Sequence, residues 1–404
     1  MTVGLVLSGG AARGAYEIGA LSALLPHLEA AQQEPRVLVG TSIGAINAAL
    51  LASFAELDAG GLALAGASTW LIELAHRRLI EPLVPGATQR LAEYRRFVCN
   101  EEDESLLWNL LDRTPMGELL ETFIPLRQIA TNIGHGRLDA VAVVATSALT
   151  GRPVVFHQSA HNPDPDATRR IDYVATQLRT EHLLASSALP GIFPAVQVTQ
   201  PGEAAGWYWD GATRLNTPIK PALALGAERV VVIGLDSLAP GPRQIAGPVR
   251  PDAFSGLSQL LHGVVVDTLE RDLAMLTTIN EAVAAGFSSR QLVPYIFIAP
   301  QDPGLIGNLA QQAFARLYPD AGSALRSDAG LIDRAINGQH DRFHGELLSL
   351  LMFDEWFIRE LIEHGRRDAQ MWIATHHSHG LWETGPLRGV SAADWNVVHQ
   401  PPPH

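Results

Sequence analysis

Apolar positions along the chain alternate between short solid runs and helical spacing, with glycine turns between them. Val3 to Leu7 is an apolar run that meets Ser8-Gly9-Gly10, and Ile18, Leu21, Leu25 and Leu28 then recur every three or four residues. The unit repeats at once. Val37 to Val39 reads as a strand, Gly40 to Gly44 as a tight turn and Ala45 to Ala55 as a helix. Two successive strand-to-helix units predict a parallel sheet with helices on its faces. Residues from about 60 to 136 are helical and apolar in pattern, with Pro82, Pro85, Pro115 and Pro125 as breaks and Glu101–Glu104 as an acidic run read as a solvated helix entry. This stretch is expected to form a cap-like insertion.

Strand character returns at Ala140 to Ala145 and at Pro153 to Phe156, joined by a turn at Gly151-Arg152, and His157 to Arg170 reads as loop. A helix is expected near Thr180 to Ser187. Buried strands are expected at Trp207 to Trp209 and at Val230 to Leu235. Ser255 to Ala285 carries helical spacing, Gln291 to Ile298 reads as one more strand, and beyond Gly304 the pattern is helical and then tail-like. The predicted division is a catalytic core over 1–240 and a helical C-terminal extension over 241–404 packed on it.

Composition narrows the class. The 404 residues are 47% hydrophobic and 18% charged, enough to bury a sizeable core. With 29 basic against 42 acidic residues the net charge is −13, which argues against nucleic-acid binding and against general attraction to anionic membranes, so any lipid contact is local. Cys99 is the single cysteine, and Met1 to Gly4 lacks the basic start of a signal peptide. A cytoplasmic location is expected, with peripheral membrane contact left open. Val37 to Ala55 is uncharged over nearly a bilayer's span, yet Thr41, Ser42, Asn47, Ser53 and two glycines fit a buried strand, turn and helix better.

Three elements carry chemistry. Gly40-Thr41-Ser42-Ile43-Gly44 is a GxSxG pattern between strand and helix, where small neighbours allow the strained turn that projects a serine hydroxyl. The plainer alternative is that Ser42 caps a helix. Ser8-Gly9-Gly10-Ala11-Ala12-Arg13-Gly14 follows the first strand, and its small residues let backbone N–H groups converge on an anion. A tight turn is the plain alternative there; a dinucleotide site is disfavoured because Ala11 replaces a required glycine and no acid follows the second strand. Asp210-Gly211-Ala212 ends an apolar strand, where an aspartate can accept a serine's proton, although Asp-Gly is also an ordinary turn.

In this order the elements resemble the patatin-like phospholipase family, its bacterial members especially. The likeness runs through GLVLSGGAARGAYEIGAL, VLVGTSIGAINAALLAS, SSALPGIFPAV, WYWDGAT and NTPIKPALALGAERVVVIGL, roughly the first 240 residues, with DTLERDLAMLTTIN a looser echo. The resemblance implies a three-layer α/β/α sandwich with a mostly parallel central sheet. It also implies a serine lipid acyl hydrolase working by a Ser-Asp dyad without metal or cofactor. Ser42 would be the nucleophile and Asp210 its base; Gly9, Gly10, Ala11 and Gly14 would form the oxyanion loop, with Arg13 fixing it. Gly40, Thr41, Ile43 and Gly44 would shape the elbow, and Gly211 and Ala212 the Asp-Gly turn. Ala11 departs from the family's glycine, and a positive φ there would strain it.

Trp207 and Trp209 are candidates for desolvating Asp210, or are core. Two rivals stay open: a catalytically silent lipid-binding module, and a Ser-His-Asp esterase using His262, His340, His344 or His364. His376, His377 and His379 form a tract read as compositional rather than metal-binding. Gly61 to Leu74, and Trp356 with Phe357, Ile358 and Leu361, fit either core packing or lipid contact. Headgroup and chain-length preference and oligomeric state are not legible.

Overall fold

Val3–Leu7 (β1) is buried along its whole length, as a strand covered on both faces must be. It lies between Pro35–Thr41 (β2) and Arg229–Ile233 (β8), parallel to both. Ala140–Ser147 (β3) continues the sheet parallel to β2, Pro153–Ser159 (β4) pairs antiparallel to β3, and Asp172–Ala175 (β5) closes that edge. Tyr295–Ile298 (β9) pairs parallel to β8 at the other edge. Val196–Val198 (β6) and Gly206–Asp210 (β7) form a hairpin joined to the end of β3. This computed structural model describes residues 1–55, 72, 114–160, 162–164, 166, 168–190, 193–238, 269, 272–287, 291–317, 342–376 and 380–385. Cys99, the acidic run Glu101–Glu104, Gly61 to Leu74 apart from Ile72, and the proline-rich tail lie outside them.

Side-chain alternation along the strands divides the core in two. Leu5, Leu7, Val141, Val143 and Ile233 face the helices Gly14–Ala30 (α1) and Ile43–Ser53 (α2), together with Thr114–Phe123, Arg127–Gly134, Thr180–Ser186, Leu305–Leu317 and Glu355–His376. Val6, Val39, Val144 and Val232 face Ile219–Ala224 and the helical residues 272–284. The result is a three-layer α/β/α sandwich with a mostly parallel sheet. The strands β5 and β6 stand where the sequence showed loop or nothing. Each is too short, and β5 too exposed, to carry a periodic signal.

The C-terminal helices belong to the same body. Glu355–His376 crosses α1 at near-zero clearance: a Cβ on Gly19 would stand 1.9 Å from the Ile362 carbonyl oxygen, and one on Gly365 would stand 2.0 Å from that of Tyr16. Tyr16 Oη donates to Asp368 Oδ2 (2.6 Å) across the same crossing. Phe357, Ile358 and Leu361 are fully buried in this layer, while Trp356 stacks beneath the Arg316 guanidinium at 3.7 Å. That settles their alternatives in favour of packing. His376 is likewise structural, stacked on Trp372 with Nε2 3.1 Å from Glu383.

Candidate active site

The site arises where the carboxyl ends of β2 and β7 meet on one edge of β3. Val144 pairs with Thr41, the last residue of β2, and the next residue of β3, Ala145, pairs with Asp210, the last residue of β7. Because β4 occupies the opposite edge, β2 and β7 meet end to end. Ser42 and Asp210 are thereby brought together: Ser42 Oγ donates to Asp210 Oδ2 at 2.8 Å.

Ser42 sits at φ 55, ψ −124 between strand and helix, a conformation rarely held by non-glycine residues. Its neighbours make that possible. A Cβ on Gly40 would lie 2.1 Å from the Gly44 carbonyl oxygen, and one on Gly44 would lie 2.5 Å from that of Leu7. Thr41 Oγ1 donates to the Leu215 carbonyl, and the Ser42 N–H donates to Ser186 Oγ, which itself donates to the Val144 carbonyl. Ile43 opens α2 immediately after the serine, placing the positive end of the helix beside it.

Asp210 is 2% exposed. Burial raises its pKa to about 7, opposed by the Ala212 N–H on Oδ1 (2.8 Å) and by the Ser42 hydroxyl. The tryptophans do not provide this burial. Strand alternation turns Tyr208 and Asp210 to one side of β7 and Trp207 and Trp209 to the other, and Trp207 is 54% exposed. Gly211 packs on β3 so closely that a Cβ would stand 2.3 Å from the Val144 carbonyl oxygen.

The glycine loop is laid against the serine: a Cβ on Gly9 would fall 3.1 Å from Ser42 Cβ, and one on Gly14 would collide with Ile43. Three of the loop's amides are already engaged. Gly9 N–H donates to Asn216 Oδ1 (2.9 Å), Arg13 N–H to the Gly10 carbonyl, and Gly14 N–H to Ala11. The amides of Gly10 and Ala11 have no hydrogen bond among the described residues. Ala11 holds a positive φ, 49°, the case in which a residue other than glycine is strained.

Arg13 anchors this loop to distant parts of the chain. Its Nε donates to Ser349 Oγ (2.7 Å), Nη1 to Asp236 Oδ1 (3.1 Å) and Nη2 to the Glu346 carbonyl (2.6 Å), with Glu346 Oε2 in ion-pair contact at 2.8 Å. Ser349, Asp236 and Glu346 carry no motif signal, and Asn216 and Ser186, which open two of the family-like segments, have no local signal of the bond they make. Each contact spans well over a hundred residues of sequence and depends on the finished fold.

Behind the loop lies Glu17, also unmarked by any motif. It is fully buried between α1 and α2; Oε2 accepts from Asn47 Nδ2 (2.8 Å), the Ser8 backbone lies beside the carboxyl, and Asn47 also donates to the Gly14 carbonyl. Desolvation lifts its pKa from 4.5 to about 8, so the folded protein holds it as a neutral acid at pH 7. The unfolded chain loses that proton near pH 4.5, and this group's contribution to stability therefore falls by about 1.4 kcal/mol per pH unit between there and about pH 8. Glu17→Gln removes that dependence. Melting curves of the variant and wild type should diverge in the variant's favour from pH 5 to pH 8; a constant difference would contradict a neutral Glu17.

Among the described residues no histidine bonds to Ser42 or Asp210. His182 is committed to the Arg179 amide and the Gln200 carbonyl, and His157 to Ser159. His262, His340 and the side chain of His344 lie outside the described residues.

In this α/β/α sandwich a serine elbow faces an aspartate beside a glycine loop. A family model described as patatin-like phospholipase matches residues 5–223, more than half of the chain. The chain belongs to the patatin-like phospholipase family, whose domain is that of a lipid acyl hydrolase acting on ester bonds. No curated protein matches it. Among solved structures it is similar to VipD from Legionella pneumophila at 14% identity and a TM-score of 0.29, over 74% of this chain and 61% of that one, less than two thirds of that chain's length. No helix among the described residues is long and apolar enough to cross a membrane.

Proposed function

We propose that the protein hydrolyses acyl esters of phospholipids or related lipids through a Ser42-Asp210 dyad. The observation that carries this reading is the direct 2.8 Å hydrogen bond from the Ser42 hydroxyl to a buried carboxylate, with no imidazole between them. Ser42 Oγ attacks the ester carbonyl while its proton passes to Asp210 Oδ2. The oxyanion is received by the Gly10 and Ala11 amides, with the N-terminus of α2 adding a favourable field. Collapse of the tetrahedral intermediate expels the alcohol, which takes the proton from Asp210, and leaves the acyl group on Ser42. Water then attacks that ester, Asp210 takes the water's proton, and the second collapse returns it to Ser42 as the fatty acid leaves.

An aspartate near its usual pKa is a weak base at neutral pH. Burial removes that difficulty by lifting Asp210 to about 7, where it is both a competent acceptor and substantially ionised. Activity therefore needs the deprotonated form. With an uncharged ester, kcat/KM should rise with pH to a plateau above about 7 and lie roughly 100-fold lower at pH 5, where only about one site in a hundred is ionised. Hydrolysis of a short-chain p-nitrophenyl ester and of a fluorogenic phospholipid, followed from pH 5 to 9 with a chelator present, tests this. A limb near pH 4, or loss of activity to the chelator, would speak against the dyad.

A further inference from the structure

The turn joining β3 to β4 stands beyond the carboxyl end of the sheet, the end at which Ser42 and Asp210 meet. Leu149 in this turn is 94% exposed. The neighbouring Ala148 N–H donates to the carbonyl of Trp207 (2.9 Å), so the half-exposed indole at the start of β7 adjoins the turn. Three arginines surround the pair. Arg152 closes the turn, with Nε on the Arg170 carbonyl (3.0 Å) and Nη2 on Asp172 (2.7 Å). Arg214, four residues after Asp210, lies against the turn from the other side: a Cβ on Gly151 would be 3.6 Å from its Nη2. Arg170 and Arg214 are exposed and have no carboxylate partner among the described residues. The acids close by in the strand order are Asp172, engaged by Arg152, and Glu203 on the 202–204 turn that precedes β7.

A chain of net charge −13 thus presents, at the mouth end of its site, two guanidiniums that have no carboxylate partner among the described residues, beside two large apolar side chains in water. That combination matches an anionic bilayer surface. A leucine gains by entering the acyl boundary, an indole settles at headgroup depth, and guanidinium forks fit phosphate oxygens.

We infer that Leu149, Trp207, Arg170 and Arg214 form the face by which the protein rests on an anionic phospholipid surface. This turns the carboxyl end of the sheet toward its substrate. The inference rests on the lipid hydrolase reading, deepens it by assigning the docking surface, and answers how a strongly acidic protein approaches an anionic membrane.

The test is sedimentation of the full chain carrying Ser42→Ala, which leaves vesicles intact, with vesicles of phosphatidylcholine alone or mixed with phosphatidylglycerol. Binding is expected to the mixed vesicles and to be much weaker on phosphatidylcholine. Arg170→Gln with Arg214→Gln should weaken it about 20-fold at low salt, near fivefold per arginine, and Leu149→Ser with Trp207→Ser about tenfold or more at any salt. In the Ser42 background neither pair should change turnover of the short soluble ester, which also shows that the variants fold. No binding to mixed vesicles, or binding that both pairs leave intact, overturns the docking face, the first being also what a protein partner for this face would give. Loss of soluble-ester turnover in the wild type strikes the hydrolase reading alone, because sedimentation needs no catalysis.

Discussion

Ser42→Ala is expected to reduce ester hydrolysis to the uncatalysed background, and Asp210→Asn to lower kcat by about 10²- to 10⁴-fold, the usual contribution of a positioned base. The two losses differ in origin. Alanine removes the atom that carries the acyl group, so no intermediate forms. Asparagine keeps the shape of the site: its carbonyl oxygen still accepts from Ala212 N–H and its amide meets Ser42 Oγ, but it cannot take a proton. Since burial penalises the charged aspartate, Asp210→Asn should unfold at or above the wild-type temperature at pH 7. Kinetics on a short soluble ester, read beside the melting temperature, separate lost chemistry from lost folding. An Asp210→Asn enzyme with near-normal turnover would remove the base from the account.

Arg13→Met should carry the second largest effect, and it acts on stability and catalysis together. The guanidinium side chain is 4% exposed and holds Asp236 and Glu346, themselves 10% and 13% exposed. Taking it away strips two nearly buried carboxylates of their guanidinium, and breaking a buried ion pair from one side typically destabilises by about 3–5 kcal/mol. The same change releases the loop bearing the Gly10 and Ala11 amides from the helix Arg342–Leu351. Misplacing one oxyanion donor typically removes about 2.7–4 kcal/mol of transition-state stabilisation, a loss of 10²- to 10³-fold in kcat. Adding Asp236→Asn and Glu346→Gln should recover much of the stability, because the stranded charges are gone, without restoring kcat. Recovery of both would mean that Arg13 serves folding alone. Either way the C-terminal helices are tied to the catalytic end of the sheet, and their removal should not leave a working core.

Local signals were legible in the sequence because their causes are local. The run Val3 to Leu7, the glycine loop and the elbow at Ser42 each follow from a few adjacent residues, and each stands where its spacing placed it. Asp210 was legible only as the third member of an ordered set. What brings it to Ser42, the succession of β2 and β7 along one edge of β3, is a property of pairing that no window of sequence contains. The same applies to Asn216, which occupies the Gly9 amide and takes it out of the set of free loop donors. Trp207 misled because an aromatic triplet reads as core, whereas strand alternation sends it outward. Glu17 carries no local signal of its own. Its burial against Asn47 appears only when α1 and α2 are packed together.

The central claim is that Ser42 is the acylated residue. The most direct measurement is to treat the wild-type protein and Asp210→Asn with a fluorophosphonate and map the adduct by peptide mass spectrometry. The account predicts a single phosphonylated residue, Ser42, formed rapidly in the wild type and far more slowly in Asp210→Asn. A stable adduct on another serine, or a folded wild type that takes up no label, would contradict it.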